Sequence, residues 1–248
     1  MTPHLDPKRL ALLPLGTGNA FTTLRYHTSM LVMAEGYVLA IDAPTPFGKV
    51  LREATSKAGL NLALSDLDAV FLTHLHGDHC SGLEELGFYR KYLTQREKPT
   101  ILLLDELRRP LWENRLSAAM GRAAVGLADY YDVVGLSENQ VVRQGPLQIA
   151  VCPSSHTLPC LALKISYNGR SVGISADTAF DPRLIDFLAT ADTIIHECGP
   201  GQGHTDAEHL RKLPKSVREK LWVTHLSDDF DAAKTGLRPL IEGEVVYA

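Results

Sequence analysis

The sequence lacks any apolar run long enough to cross a bilayer. Its first apolar stretch, residues 10–15, is short and contains Pro14, whereas a spanning helix needs about 20 consecutive apolar residues. We therefore predict neither a membrane anchor nor an export signal, and we expect a cytoplasmic protein.

Paired cysteines and an excess of positive charge are also missing. The four cysteines, Cys80, Cys152, Cys160 and Cys198, show no C-x-x-C spacing, so neither a thiolate zinc site nor a disulfide framework is indicated. The net charge of −4 gives no general electrostatic attraction to nucleic acid. A polyanionic partner would therefore need a local basic patch.

The composition that is present fits one folded domain. Hydrophobic residues make up 45% of the 248 positions and charged residues 22%, which are ordinary values for a globular protein. The sequence contains no internal repeat, linker or low-complexity tract. We therefore expect a single domain over residues 1–248.

Strand-length apolar runs, bounded by Gly, Pro or Asp, fill the first third of the chain and recur in its second half. The predicted strands cover residues 10–15, 29–34, 37–41, 69–73, 147–152, 160–167, 171–175, 194–197 and 221–224. Between two of these strands, Asn168-Gly169 is a two-residue hairpin signal.

Helical spacing separates these strand-rich regions. It predicts helices over residues 47–60, 83–93 and 181–189, and one or two more between 107 and 131, beginning near Pro110. Two β-rich halves, each followed by helices, predict the α/β class: an αββα four-layer sandwich of two mixed β-sheets flanked by helices.

The segment with the most chemical information is Thr73-His74-Leu75-His76-Gly77-Asp78-His79, directly after an apolar strand. In extended backbone His74 and His76 project to the same side, and Gly77 permits a turn that brings Asp78 and His79 to a second position. Imidazole and carboxylate ligands without thiolate favour zinc, manganese, iron or cobalt over calcium. This loop therefore predicts ligands for two adjacent metal ions.

Further ligands are expected at later strand ends, because one loop cannot complete two metal sites. His156, Asp177 and His225 each follow an apolar strand, which predicts one cleft along a sheet rim. A single histidine at a strand end is more often structural, but several unpaired ligands packed together without metal would cost several kcal/mol. The remaining histidines, His4, His27, His196 and His209, are interpreted as ordinary core or surface residues.

This pattern, HxHxDH followed by His, Asp and His, resembles the metallo-β-lactamase superfamily over most of the chain. The resemblance implies two divalent metal ions, zinc or alternatively manganese, and a metal-bridging hydroxide as nucleophile. The implied ligands are His74, His76 and His156 for one ion and Asp78, His79 and His225 for the other, with Asp177 bridging. Asp42 resembles a buried carboxylate that braces the histidine loop.

Other segments are similar to the ribonuclease Z group and its cyclic-nucleotide phosphodiesterase relatives: Leu15-Gly16-Thr17-Gly18, His196-Glu197, Gly203-His204-Thr205 and Thr224-His225-Leu226-Ser227. The resemblance implies that Glu197 and His204 act together, with His204 donating a proton to the leaving oxygen and Asp78 helping to orient the hydroxide. The alternative is a surface histidine beside a strand-end glutamate.

One departure bears on the substrate. Only 21 positions separate His156 from Asp177, which leaves no room for the tRNA-gripping arm of bacterial ribonuclease Z. The chain therefore resembles the armless, anti-Pycsar type phosphodiesterases, and we expect a small phosphodiester such as a cyclic nucleotide. The alternatives are tRNA 3′-end processing and a non-catalytic ligand-binding member of the fold.

The resemblance to this branch also implies a homodimer.

Two groups of basic residues bear on whether the substrate is RNA. The first group is Arg90, Lys91, Arg96 and Lys98, and the second is Lys212, Lys215, Arg218 and Lys220. Acidic residues interleave with both and no aromatic stacking platform is evident, so we interpret both groups as solvated helix faces.

Overall fold

Two mixed β-sheets, of seven and six strands, face each other across the main apolar core of the part of the chain described here. The computed structural model describes residues 6–94, 96–122 and 124–248. Its strands are β1 (Ala11–Gly16), β2 (Ser29–Ala34), β3 (Tyr37–Ile41), β4 (Ala69–Phe71), β5 (Thr100–Leu104), β6 (Asp132–Leu136), β7 (Val141–Gln144), β8 (Leu147–Pro153), β9 (Leu161–Tyr167), β10 (Arg170–Ile174), β11 (Thr193–Glu197), β12 (Leu221–Thr224) and β13 (Val246–Tyr247). The order is β13-β1-β2-β3-β4-β5-β6 in one sheet and β12-β11-β10-β9-β8-β7 in the other.

Helices flank the two sheets. They are α1 (Phe47–Lys57), α2 (Gly77–Cys80), α3 (Leu83–Leu93), α4 (Arg108–Leu111), α5 (Ser117–Met120), α6 (Pro182–Ala189), α7 (Ala207–Arg211), α8 (Lys215–Arg218) and α9 (Ala232–Thr235). Helix α1 packs on β1, whereas α6 packs on β8, β9 and β10. The predicted αββα sandwich is confirmed. In the described ranges, no helix has both the length and the hydropathy that a bilayer crossing requires.

Several predicted elements are confirmed with the bounds that the sequence indicated. Strands β2 and β3 and helix α3 begin and end at the expected residues. The hairpin between β9 and β10 turns at Asn168 and Gly169, whose φ angles of 48° and 75° are those of the left-handed region that such a turn requires.

The segment between β5 and β6 contains one continuous helical run over residues 108–120, where one or two helices beginning near Pro110 were predicted. In this run a π-helical turn at Trp112–Leu116 separates α4 from α5, and a 3₁₀ turn at Leu127–Asp129 follows. Gly121 follows α5 and Gly126 precedes the 3₁₀ turn, and glycine opposes continued helix because its backbone loses more freedom on ordering.

Four strands were not predicted: β5, β6, β7 and β13. Strand β5 lies between parallel neighbours and is almost wholly buried, so its sequence shows no alternation of polar and apolar residues. Strand β7 is an edge strand with exposed and half-buried residues, so it has too few apolar residues to be recognised.

The carboxyl ends of the parallel strands meet at the edge that carries the predicted ligands. Strand β3 pairs with β4, and β11 pairs with β10 and β12, all in parallel. Asp42, Ala176 and His225, just beyond three of these strands, have φ angles of 60°, 51° and 57°. Left-handed backbone at a residue other than glycine costs on the order of 1–3 kcal/mol and is common at functional sites.

Candidate functional site

The histidine loop begins where β4 ends and runs into α2, as the sequence predicts. His76 is extended, with φ −65° and ψ 150°, and immediately precedes the helical turn that carries Asp78 and His79. His74, Asp78 and His79 are buried. The turn therefore divides the four candidate ligands of this loop between two positions.

The first position brings His74, His76 and His156 together. Nδ1 of His76 lies 3.0 Å from Nε2 of His74 and 3.1 Å from Nε2 of His156. Tetrahedral zinc with ligands at about 2.0–2.1 Å has neighbouring ligand atoms about 3.3 Å apart. These three nitrogens therefore have the spacing of one coordination sphere.

The second position brings Asp78, His79 and His225 together. Oδ2 of Asp78 lies 3.3 Å from Nε2 of His79 and 3.5 Å from Nε2 of His225. One carboxylate, that of Asp177, reaches both positions: its Oδ2 is 3.3 Å from Nε2 of His225, 3.5 Å from that of His79 and 3.8 Å from that of His74. All seven predicted ligands thus converge, and Asp177 lies between the two groups.

The unpartnered atoms of this cluster fit divalent metal ions. Nε2 of both His79 and His225 is buried without a hydrogen-bond partner within the described ranges, and a buried polar atom left unpaired is costly. The donor set consists of imidazole nitrogen and carboxylate oxygen, which zinc and other transition ions bind. Among the residues that the structure describes, three groups have ligand atoms within 4.8 Å of one another, and His204 belongs to one of them.

Outer hydrogen bonds orient two of the histidines so that their Nε2 atoms face the cluster. Nδ1 of His79 donates to Oδ2 of Asp42 at 2.7 Å. Thr73 donates its backbone N–H and its hydroxyl to Asp42, each at 2.8 Å, and its hydroxyl oxygen accepts from Nδ1 of His74 at 2.9 Å. Such contacts fix the tautomer and ring orientation of metal-binding histidines. Asp42 therefore braces one histidine of each group.

Thr73 is a residue of this arrangement that the sequence did not single out. Its position directly before His74, at the end of an apolar strand, was the available signal, since hydroxyls at strand ends commonly bind nearby polar groups.

Burial and neighbouring charge set the protonation of the cluster. Burial lowers the pKa of His76 and His156, and it lowers that of His74 well below the ordinary value, which favours the neutral imidazole that binds metal. Burial also lowers the pKa of His79, but the carboxylates of Asp177 and Asp42 outweigh this and raise it well above that value. A divalent ion would take the place of that proton.

The predicted pair of Glu197 and His204 lies beside the cluster. Nδ1 of His204 donates to Oε1 of Glu197 at 3.0 Å, and the same oxygen accepts from the backbone N–H of Thr178 at 2.9 Å. The His204 ring stacks on that of His225, with centroids 5.1 Å apart. The hydrogen bond to Glu197 raises the pKa of His204 despite partial burial. His204 is therefore oriented and biased to carry a proton next to the candidate ligands.

The histidines interpreted as ordinary residues, His27, His196 and His209, belong to none of these groups. His4 is outside the described residues. His196 is buried, its Nδ1 donates to the carbonyl of Glu197 at 2.7 Å, and burial lowers its pKa to about 4. His209 stacks on Phe180. His196 is therefore a neutral core residue, as the sequence analysis interpreted it.

The interpretation of the first basic group as a solvated helix face is wrong for Arg90. Arg90 is only 7% exposed and donates to the carbonyls of Ser65 and Leu67, so it ties loops together instead of facing solvent. Nζ of Lys91 lies 4.2 Å from the centre of the Tyr130 ring, but that ring is buried and so offers no surface on which a base could stack. This contact could not be predicted from the sequence because Tyr130 is far from Lys91 along the chain.

Residues 10–247 match the family model described as Anti-Pycsar protein Apyc1. The chain belongs to the Anti-Pycsar protein Apyc1 family. It is 35% identical over 246 residues to the Anti-Pycsar protein Apyc1 of Saccharibacillus brassicae, a match that covers 94% of this chain and 97% of that one.

Solved structures show the same fold at lower identity. The metallo-β-lactamase fold protein YhfI from Bacillus subtilis superposes with a TM-score of 0.79 and 19% identity, over 97% of this chain and 100% of that one. The short form of human tRNase Z superposes with a TM-score of 0.72 and 20% identity, over 95% and 98% of the two chains. The predicted metallo-β-lactamase fold is confirmed.

Proposed function

We propose that this protein is a dinuclear metal phosphodiesterase that hydrolyses a small cyclic nucleotide. The observation that carries the proposal is the carboxylate of Asp177, which lies within 3.5 Å of histidines His79 and His225 and within 3.9 Å of His74 and His156. A carboxylate shared in this way suits two adjacent ions.

The seven clustered side chains would hold the metals, one ion by His74, His76 and His156, the other by Asp78, His79 and His225, with Asp177 common to both. Two bound divalent ions, zinc or alternatively manganese, would lower the pKa of water and neutralise charge on the phosphoryl oxygens. Burial favours the neutral, metal-binding form of His74, His76 and His156, whereas His79 would give up a proton when an ion binds.

Asp78 and the His204 pair would divide the proton chemistry between them. The Asp78 carboxylate faces the cluster and accepts a hydrogen bond from the attacking water, which orients its lone pair toward phosphorus. Nε2 of His204 would donate a proton to the departing oxygen. Glu197, which accepts from Nδ1 of His204, keeps the ring oriented and stabilises its protonated form.

A small substrate is supported by how the chain fills the interval after His156. Strands β9 and β10 form a continuous hairpin there, with Ile174 paired to Leu163 and Arg170 to Tyr167, so no arm projects to hold a tRNA. The resemblance to anti-Pycsar type phosphodiesterases, and the membership of the chain in that family, support a cyclic nucleotide. We further propose a homodimer and zinc as the physiological metal.

The test is metal analysis followed by a parallel hydrolysis screen. Elemental analysis of the purified protein should give two transition-metal ions per chain, and 3′,5′-cyclic nucleotides should be hydrolysed to nucleoside monophosphates. Rapid cleavage of precursor tRNA with no cyclic-nucleotide turnover would assign the chain to tRNA 3′-end processing instead. Two bound ions without turnover of any diester would favour a non-catalytic ligand-binding protein.

A further inference from the structure

A cavity of about 20 Å³ lies in the interior of the protein and is lined in part by three of the candidate metal ligands. All of its lining residues except Ala176 are buried, so the cavity is sheltered from bulk solvent. A cavity needs about 10–15 Å³ to hold one water molecule, and a buried water also needs about two to four polar partners. The volume therefore suits a single water. The lining includes the polar side chains of His225, Glu197, Thr28 and Thr224.

Nδ1 of His225 lacks the outer hydrogen bond that orients His74, His79 and His156. Its other ring nitrogen, Nε2, faces the carboxylate of Asp177 at 3.3 Å, so Nδ1 points away from the cluster. In the described ranges this Nδ1 is buried with no hydrogen-bond partner. A neutral imidazole that offers Nε2 to a metal carries its proton on Nδ1. His225 therefore has a buried donor left over on the side away from the ligands.

Oε2 of Glu197 is a buried acceptor left over at the same cavity. Oε1 of this carboxylate accepts from Nδ1 of His204 and from the backbone N–H of Thr178, whereas Oε2 has no partner among the residues that the structure describes. A buried carboxylate oxygen without a hydrogen bond is unfavourable. One unpaired donor and one unpaired acceptor therefore belong to residues that line a cavity with room for one water.

Two hydroxyl groups can supply the remaining contacts of such a water. Thr28 and Thr224 both line the cavity, and their Oγ1 atoms lie 3.4 Å apart. The Thr28 hydroxyl donates to the carbonyl of Gly18 at 3.0 Å, so its oxygen can still accept, and the Thr224 hydroxyl can donate or accept. A water that accepts from Nδ1 of His225 and donates to Oε2 of Glu197 thus has partners for its second proton and its second lone pair.

We propose that this cavity holds one ordered water, which accepts a hydrogen bond from Nδ1 of His225 and donates one to Oε2 of Glu197. The water orients the His225 ring as Asp42 orients that of His79. Glu197 is then a positioning residue with two tasks, because Oε1 orients His204 and Oε2, through the water, orients a metal ligand. The inference rests on the proposed function, and it makes the proton donor and the second metal position depend on one carboxylate.

The direct test is a pair of crystal structures of the wild type, zinc-loaded and metal-free, at a resolution that shows ordered water. Density for one water within about 3.2 Å of both Nδ1 of His225 and Oε2 of Glu197 is the expected result. Absence of that density, or a direct contact between the two side chains, would overturn the proposal.

The positioning role is tested by titrating metal-free protein with zinc in competition with a chromogenic chelator. Thr224→Val keeps the size of the side chain but removes a hydroxyl that contacts the water. Zinc affinity at the position of His225 should fall about tenfold, the lower end of the effect of outer partners of metal-bound histidines. Thr224→Ser keeps the hydroxyl and should retain most of the affinity. Thr193→Val is the matched control, because Thr193 is a buried residue of β11 that does not line the cavity, and it should bind zinc as the wild type does.

Each remaining outcome separates this inference from the proposed function. Wild-type zinc affinity in Thr224→Val, or an equal loss in Thr224→Val and Thr224→Ser, would overturn the positioning role of the water. Two bound ions in a crystal without the water would overturn the inference and leave the proposed function standing. A wild type that binds no transition metal would overturn the proposed function, whereas the metal-free crystal would still decide whether the water is present.

Discussion

Replacing Asp42 by asparagine should weaken metal binding without touching a metal ligand. Asparagine has the size of aspartate and tolerates the left-handed backbone found at this position. However, its side-chain nitrogen is a donor. It would face either Nδ1–H of His79 or the N–H of Thr73, both of which now donate to Asp42.

The structure sets the expected size of the effect. The amide oxygen can retain the Thr73 contact, so the lost interaction is the charge-assisted hydrogen bond from His79. Such a bond contributes about 1.5–3 kcal/mol, and about 1.4 kcal/mol corresponds to tenfold in a binding constant. We therefore expect metal affinity at the position of His79 to fall about 10- to 100-fold, the range found for partners of metal-bound histidines.

The assay is a zinc titration of metal-free protein in competition with a chromogenic chelator. The wild type should bind two ions tightly. The Asp42→Asn variant should bind one ion tightly, at the position of His156, and one weakly, at the position of His79. The first position is retained because the carbonyl of Gly203 holds His156 independently of Asp42. Asp68→Asn is the control: Asp68 accepts from the backbone of Val38 in the same sheet and faces no candidate ligand. A folded Asp42→Asn protein that binds both ions with wild-type affinity would refute this reasoning.

Three further outcomes are expected. Replacing His204 by alanine should lower kcat about 10²- to 10⁴-fold with metal content retained, and loss of metal would show a structural role instead. The hydrogen bond to Glu197 raises the pKa of His204. His204 therefore keeps its acidic proton at pH values where an unperturbed histidine has lost it. The kcat measured against pH should therefore fall as pH rises through that raised pKa, and this fall should move to lower pH in Glu197→Gln. Neutralising Lys91, Arg96 and Lys98 together should barely alter turnover of a cyclic nucleotide, whereas a large, salt-dependent loss would support a nucleic-acid substrate.

The candidate ligands could be located from the sequence because each is a polar residue at the end of an apolar strand. His156, Asp177 and His225 are far apart along the chain, yet parallel strands end at a common edge, and the structure brings all three to the 74–79 loop. The fold could be predicted for a similar reason, since strands β2 and β3 have clear boundaries in the sequence.

The parts that could not be predicted depend on tertiary contacts. Strand β5 is buried by its neighbours on both sides and has no periodic pattern to reveal it. The π-helical turn at Trp112–Leu116 has no signature in propensity. Arg90 has the sequence context of a surface residue, and only the loop carbonyls of Ser65 and Leu67 show why it is buried.

The seven clustered side chains come from both halves of the sandwich: the 74–79 loop follows a strand of one sheet, and His156, Asp177 and His225 follow strands of the other. A bound ion would therefore link the two sheets at one rim, and its binding free energy would add to the free energy of folding. A cell starved of metal would then hold chains whose layers separate more readily at this rim and are degraded faster. Supply of the ion would thus govern how much of this protein accumulates as well as how fast each molecule works.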